Sequence, residues 1–488
     1  MTLTPRDGVM LKTAGHTVSH GIYLGRLLSA VAVALLACLL LAFIGCGGGS
    51  NSSGGTGSGS SGVSVVHQFD GESGMGNPPL YKDHPDMAIG ANGTQVVETT
   101  GQSVTVYAYD GTVLSSTPMQ SFISQATGTV GVVNDPRLAY DPFLSRWLMV
   151  CSCSANYLMV SASSDATGNW KGLPLSADSG DLLMAVGFDK NGVYVSETDP
   201  TGVGKLFALP NADVAWSGSG NISLAHEGIA TGQAFQMPAI DLNSAKGATD
   251  PEYYVSHSPT AQKGTNVPLS LLIASVSWSG LPSNPAASFS AQSVPTGLLY
   301  NTPVNAQQPA GPSIKAAESH RVFGVYACAG KHLFAVVGSG PCGSNCGPQG
   351  ADAHNLFFFF DVNLPAVTLN QAVKISDSQR DLLFPSLAVD SHGNVSMVST
   401  GVSNAENPSI YEWHQLATDG AGVVHGPNLL TSGTHTYSCV SSPVGWGTYS
   451  TTAQDAGDGT KLWTVQEYGN SGNPCNWSTH LVQFNLVP

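Results

Sequence analysis

The sequence predicts an all-β fold, a single β-propeller read as seven blades, with six or eight as alternatives. Three observations lead there: a repeated grammar, a turn-rich and charge-poor composition, and strand-like alternation at both chain ends. Seven stretches share a polar or Pro/Asp entry, an apolar run ending near Asp, a Gly-containing turn and a second alternating run. The clearest copies run from Pro85 to Glu98 and from Leu183 to Glu197; others begin near Pro136, Met237, Val322, Pro385 and Tyr449. From Met87 to Tyr449 the copies recur about every 60 residues, a spacing suited to arrays of one supersecondary unit. Each copy reads as a hairpin, and hairpins arranged radially close into a propeller.

Of 488 residues, 57 are Gly and only 10% are charged, which fits many turns and a Ser/Thr/Asn surface. One large domain accounts for the length without a second composition to explain. At its ends, Val63 to Phe69 and Ser478 to Leu486 alternate like strands. Pairing them in one blade would protect the edges that an open propeller exposes.

Taken in order, Arg6, Lys12 and Arg26 precede an apolar run from Leu27 to Ile44, followed by Gly45-Cys46 and a Gly/Ser tract through Gly62. This pattern predicts an export signal over 1–45, a linker over 46–62 and the propeller over 63–488. Phe43-Ile44-Gly45-Cys46 resembles a bacterial lipobox, with Phe43 in place of the usual Leu. The resemblance implies that Cys46 is lipidated and begins the mature chain. Leu35-Leu36-Ala37-Cys38 matches the pattern better locally, but cleavage there would leave a hydrophobic octad on the mature chain. An uncleaved anchor is the alternative, since about 18 apolar residues just suffice to span a bilayer. Both readings tether a monomer to the membrane in the cell envelope, outside the cytoplasm.

Removing residues 1–45 removes Arg6, Lys12, Arg26 and Asp7, which leaves 14 basic against 31 acidic residues, a net charge of −17. Nucleic acid and anionic membrane surfaces are poor partners for such a domain. Export favours disulfides among Cys151, Cys153, Cys328, Cys342, Cys346, Cys439 and Cys475. Cys439 and Cys475 share the last repeat, where one bridge could staple a loop. Cys342 and Cys346 could close on each other or on Cys328; the odd count leaves at least one unpaired, and sequence does not fix the pairing. A zinc site lacks a companion Cys pair.

The repeats turn at Asn92-Gly93, Asp189 to Gly192, Asp390 to Gly393 and Asp455 to Gly459, all rich in residues that accept positive φ. None carries the ligand run of an EF-hand. Ser163-Ser164-Asp165-Ala166-Thr167-Gly168-Asn169-Trp170 resembles the Asp-box of sialidase-type propellers, with Gly displaced by one position; the resemblance implies a structural turn remote from catalysis. Asn134 to Pro142 with Ser145-Arg146-Trp147, and Trp446 to Ser450 with Leu462-Trp463, resemble recurring phrases of secreted bacterial propeller proteins, most without an assigned activity. Thr448 stands where those proteins commonly carry Asp, so no role for that Asp is carried over.

Aligning the returning strands on Val96, Val195, Val255 and Val465 places Glu98, Glu197, His257 and Glu467 at one blade position. Strand entries contribute Asp86, Asp135 and Asp181. In a hairpin, the entry of the first strand and the exit of the second lie on one face, so a partial carboxylate ring is expected at the channel mouth. Such a ring could ligate Ca²⁺, with Asp86, Asp135 and Asp181 as the candidate metal residues, or hydrogen-bond sugar hydroxyls. Alternatively, Asp86, Glu98, Asp135, Asp181, Glu197 and Glu467 could supply a general acid and base across a glycosidic bond. The same residues would equally serve as solvated strand ends or as acceptors in turns.

Sialidase chemistry needs an arginine cluster, but only Arg137, Arg146, Arg321 and Arg380 follow the linker and no Arg-Ile-Pro phrase occurs. Arg146 is expected on the turn side, packed on Trp147. No Gly-x-Ser-x-Gly elbow or His-Glu-x-x-His motif is present. His320, His332 and His354 lie around the Cys-rich insertion, and Phe357 to Phe360 reads as a buried strand. The reading that results is an envelope-anchored module binding a carbohydrate, peptide or protein on its acidic face. The alternatives are a propeller glycoside hydrolase or polysaccharide lyase, and an assembly scaffold.

Overall fold

The computed structural model describes residues 62–75, 84–131, 133–153, 155–176, 183–199, 201–220, 222, 224–258, 265–316, 321–341, 352–439, 443–470, 472 and 475–487. The signal and anchor readings, Cys46 and Asp181 lie outside them. Strand accounts for 57% and helix for 3%, so the fold is an all-β propeller.

In chain order, β1 (Gly62–Met75) precedes a meander of β2 (Ala88–Ala91), β3 (Gln95–Thr99), β4 (Ser103–Ala108) and β5 (Val113–Pro118). Helix α1 (Met119–Thr127) leads to the next meander, β6 (Asn134–Asp141), β7 (Arg146–Ser152), β8 (Asn156–Ser161) and β9 (Trp170–Ser176). Then follow β10 (Leu183–Phe188), β11 (Gly192–Thr198), β12 (Gly204–Pro210), helix α2 (Asn211–Val214) and β13 (Gly228–Gly232). Strand β14 (Met237–Pro238) begins a sheet with β16 (Glu252–His257), β17 (Val267–Ser279) and β18 (Ala286–Tyr300), and the short β15 (Ile240–Asp241) departs from it. The chain continues through β19 (Val322–Cys328), β20 (His332–Ser339), β21 (Leu356–Asn363) and β22 (Thr368–Ile375). It then forms a sheet of β23 (Asp381–Val389), β24 (Val395–Ser403), β25 (Glu406–Gln415) and β26 (His425–Thr431). The last strands are β27 (Thr451–Gln454), β28 (Lys461–Glu467) and β29 (Asn476–Val487).

Closure joins the two ends as the alternation predicts. Strand β1 pairs antiparallel with β29 from Gly62 opposite Val487 to Met75 opposite Asn476, making the order β1-β29-β28-β27. Gly62, expected in the linker, therefore already belongs to the sheet. Inner strands β2, β6, β10, β14, β19, β23 and β27 touch in that cyclic order, and β27 returns to β2.

Blade separation differs from the expected seven. Hydrogen bonding delimits five four-stranded blades and one nine-stranded sheet, β13-β12-β11-β10-β15-β19-β20-β21-β22. Strand β15 is the join: Ile240 pairs in parallel with both Phe188 and Tyr326, and Asp241 with Ala327. The approach requires Gly187, where a Cβ would lie 2.1 Å from the Ala239 carbonyl oxygen.

Central strands of the blades, such as β3 and β21, read as unbroken apolar runs because both of their faces are covered. Val96 packs with Trp463 and Val465 of the closing sheet, while Val97 packs with Trp147 and Met149 on the other side. Phe357 and Phe359 likewise join one cluster and Phe358 and Phe360 another, all four within 1% of full burial.

Local turn chemistry follows the expected logic. Gly93 adopts φ +95°, and Asn92 Oδ1 accepts from the Thr94 and Gln95 amides. Asp189 Oδ1 accepts from the Asn191 and Gly192 amides, and Asp390 Oδ1 from His392 and Asn394. The stretch from Ser163 to Trp170 is a structural turn: Asp165 Oδ1 accepts from Thr167 N and Gln95 Nε2, and Trp170 Nε1 donates to the Ala166 carbonyl. Cys439–Cys475 and Cys151–Cys153 are disulfides, and Cys328 is also disulfide-bonded. Arg146 corrects the expectation that it packs on Trp147: its Nε donates to the Trp216 carbonyl at 2.9 Å, while Trp147 is fully buried against Tyr140.

Candidate functional site

Strand entries gather at one end of the central channel, as the hairpin argument requires, yet the residues that line it are not the expected carboxylate ring. A cavity of about 80 Å³ opens among the inner strands, with Arg137, Phe235, Arg321 and Tyr449 at its polar end and Val186, Ile240, Val325 and Leu387 among its apolar walls. Asp86 precedes β2 by two residues, Phe235 precedes β14 by two, Arg321 immediately precedes β19 and Tyr449 precedes β27 by two. Asp135 and Arg137 lie at the start of β6, where the register shifts between Asn134 and Arg137. That bulge, with φ near +52° at Asp135, turns the strand entry inward; Asp86 and Phe235 adopt the same left-handed conformation at their own entries.

Two arginines converge on one phenol. The Arg137 guanidinium lies over the Tyr449 ring, 3.1 Å from its centroid, and Arg321 Nη1 donates to the Tyr449 hydroxyl at 2.5 Å. Arg321 also faces the Phe235 ring at 5.0 Å. Arg137 is 7% exposed, and neither its Nε nor that of Arg321 has a hydrogen-bond partner. Burial depresses the Arg137 pKa; the neighbouring Tyr449, Asp135 and Asp86 oppose that shift and Arg321 adds to it. Burial foremost, then Asp135, holds the Tyr449 hydroxyl well above the usual phenol range, with both arginines pulling the other way. A buried and a half-buried guanidinium, each with an Nε–H that has no partner, match a planar oxyanion, above all a carboxylate.

The remaining expected residues have other surroundings. Asp86 is buried with its Oδ1 3.6 Å from His84 Nε2, and Asp135 is 8% exposed. Glu98, Glu197 and Glu467 occupy the predicted strand position, but neither they nor Asp86 and Asp135 are among the residues lining the cavity. Each glutamate is at most 1% exposed and engaged in packing. Glu98 Oε2 accepts from the Glu72 amide and the Tyr107 hydroxyl, and Thr479 Oγ1 lies 2.5 Å from Oε1. Glu197 accepts from Asn156 Nδ2 at 2.7 Å and pairs with Lys205 at 2.9 Å; Glu467 accepts from the Gly447 amide. His257 packs on Tyr300. Among the described residues, no group of three His, Cys, Asp or Glu side chains is placed to hold a metal ion.

Arg137, Arg321, Phe235 and Tyr449 were missed as a site because only acids were aligned at the strand entries. The signal was present: all four lie within a few residues of a strand entry, as Asp86 and Asp135 do.

No protein-family model and no curated protein sequence matches the chain. Solved structures resemble its architecture. An ulvan lyase, a polysaccharide lyase bound to a GlcA–Rha3S saccharide, aligns over 83% of this chain and 93% of its own at 10% identity and TM-score 0.40. A subtype N11 neuraminidase-like protein of A/flat-faced bat/Peru aligns over 87% and 95% at 10% identity and TM-score 0.35. The Dos1 propeller aligns over 87% and 95% at 8% identity and TM-score 0.31. These are likenesses of fold, and no functional assignment rests on them.

Proposed function

We propose that the protein is an envelope-anchored propeller that binds a carboxylate-bearing carbohydrate at its channel mouth. The observation that carries this reading is the pair Arg137 and Arg321 meeting at Tyr449, each with an unpartnered Nε. The arginines take the carboxylate and Phe235 offers a ring face, while the buried Asp86 and Asp135 beside Arg137 keep its guanidinium charged. We read the two halves of the nine-stranded sheet as separate blades, which makes seven. Cys46 carries the lipid in this reading, and Cys46→Ser would release the protein from the membrane fraction.

The test is titration of the protein with oligogalacturonate and with a neutral galactose oligomer of equal length. Tighter binding of the acidic ligand, weakened about tenfold or more by Arg137→Leu or Arg321→Leu and by added salt, supports the reading. Equal affinity for the neutral oligomer, or undiminished binding by both variants, overturns it. The hydrolase or lyase alternative retains Asp86 and Asp135 because they neighbour Arg137; product release lost in Asp135→Asn would favour it.

A further inference from the structure

Strand β19 runs from the arginine mouth to the opposite face of the propeller, and a second cavity of about 310 Å³ opens near its far end. That volume lies at the lower end of the range for small-ligand sites. Its lining is polar and convergent rather than apolar. His332 Nδ1 lies 2.9 Å from Asp361 Oδ1, and Asn370 Nδ2 donates to Asp361 Oδ2 at 2.6 Å. Asp361 is 4% exposed, whereas His332 is 37% exposed. The buried carboxylate therefore holds the imidazole by one nitrogen and leaves Nε2 for a ligand. Phe334 lies parallel to the His332 ring, at 5.6 Å and 4°, and supports it.

The opposite wall is equally ordered. Gln371 Nε2 donates to Gln415 Oε1 at 2.7 Å, and Gln371 Oε1 accepts from the Gly422 amide at 2.6 Å. Gln415 Nε2 donates in turn to the Val423 carbonyl at 3.0 Å. Side chains from two sheets are thus locked around the space before any ligand enters, which lowers the ordering cost of binding. Lys331 lines the cavity together with Asp361 and Asp419, so one ammonium stands against two carboxylates and an anionic ligand is disfavoured. Amides, an imidazole and an ammonium side by side supply both donors and acceptors, the requirement of groups that give and take a hydrogen bond at once, namely vicinal hydroxyls.

We propose that this cavity is a second binding site, independent of the arginine mouth, for one neutral pyranose unit whose hydroxyls meet His332 Nε2 and the Asn370 amide. Saturation-transfer NMR and calorimetry on the full chain would use the methyl glycosides of glucose, galactose, mannose and N-acetylglucosamine. The expected result is saturable binding of at least one, weakened about tenfold by His332→Ala and by Asn370→Ala and unchanged in Arg321→Leu. His332 is partly exposed and Asn370 lies on the outer strand β22, and near-UV circular dichroism identifies a variant that has lost the fold. Lys331→Ala serves as a further variant at an exposed turn. No saturable binding of any of the four, or wild-type affinity in both His332→Ala and Asn370→Ala, overturns the proposal. Because Arg321→Leu affects only the mouth, failure of either site leaves the other distinguishable.

Discussion

Arg137 and Tyr449, more than 300 positions apart in the chain, are stacked with the guanidinium carbon 3.1 Å from the ring centroid, and that contact joins two inner strands across the channel mouth. Tyr449 is the foremost group offsetting the desolvation of Arg137, ahead of Asp135 and Asp86. Tyr449→Leu should therefore destabilise the fold by about 2–4 kcal/mol, read from the urea midpoint. Tyr449→Phe keeps the ring and removes the hydroxyl to which Arg321 donates, and should cost no more than about 1 kcal/mol while weakening oligogalacturonate binding.

Glu98 should give the protein a pH-dependent stability. Burial first, then repulsion from Glu72, pushes its carboxyl up to about 7, against hydrogen bonds that act the other way. Between about pH 4.5 and 7 the unfolded chain releases this proton while the folded chain retains it, so stability falls as pH rises; above 7 the loss is complete. The displacement is worth about 3 kcal/mol at most. Glu98→Gln should flatten that slope and stabilise the protein at pH 8, because an amide at Oε1 can donate to Thr479 Oγ1, which can donate onward to the Glu72 carbonyl. Burial pushes Asp141 up to about 7 as well, so a residual slope should survive in the variant. Urea midpoints from pH 4 to 8 for both proteins check the prediction.

Lys246 neutralises a buried cluster on the turn side. Its ammonium lies 2.8 Å from Asp189 and 3.0 Å from Asp241 and contacts Glu252, all at most 3% exposed. Burial raises the Asp241 and Glu252 carboxyls despite the attraction of Lys246. Lys246→Met should cost about 3–5 kcal/mol at pH 7, since it leaves carboxylates buried without their cation. Part of that loss should be recovered at pH 4, where protonation removes their charge; thermal melts at the two pH values distinguish this from a packing defect.

The Cys439–Cys475 and Cys151–Cys153 disulfides should differ in weight. Cys439–Cys475 closes a separation of 36 residues and Cys151–Cys153 one of two. In the chain-entropy account the double Ser variant of the first costs about 3–4 kcal/mol and that of the second less than about 2. Equal losses in denaturant would refute the loop-entropy explanation.

Much of the architecture was legible because it is local. Asn92-Gly93 and Asp189 to Gly192 specify turns through backbone conformation and Asx bonds, and Phe357 to Phe360 announces a strand covered on both faces. The β1–β29 closure was readable for a different reason: pairing the two alternating end segments in one blade protects both terminal edges. Glu98, Glu197 and Glu467 were correctly aligned on their strands, but periodicity reports which face a side chain occupies and not what the adjoining blade brings against it. Thr479 and Glu72 enclose Glu98, and Asn156 reaches Glu197 from another sheet. Arg146 was misplaced for the same reason, since the Trp216 carbonyl that holds it is 70 positions away.

By itself, the sequence determined the all-β class, the hairpin repeat, the turns and the joining of the ends, because backbone propensity, alternation and edge protection act within one hairpin or follow from closure. Tertiary structure alone decided that β15 merges two strand sets into one sheet and that Arg137, Arg321 and Tyr449 meet. Those contacts depend on the cyclic order and inward approach of strands far apart in the chain, and the free energy that places them comes from burial between blades, which no local pattern encodes.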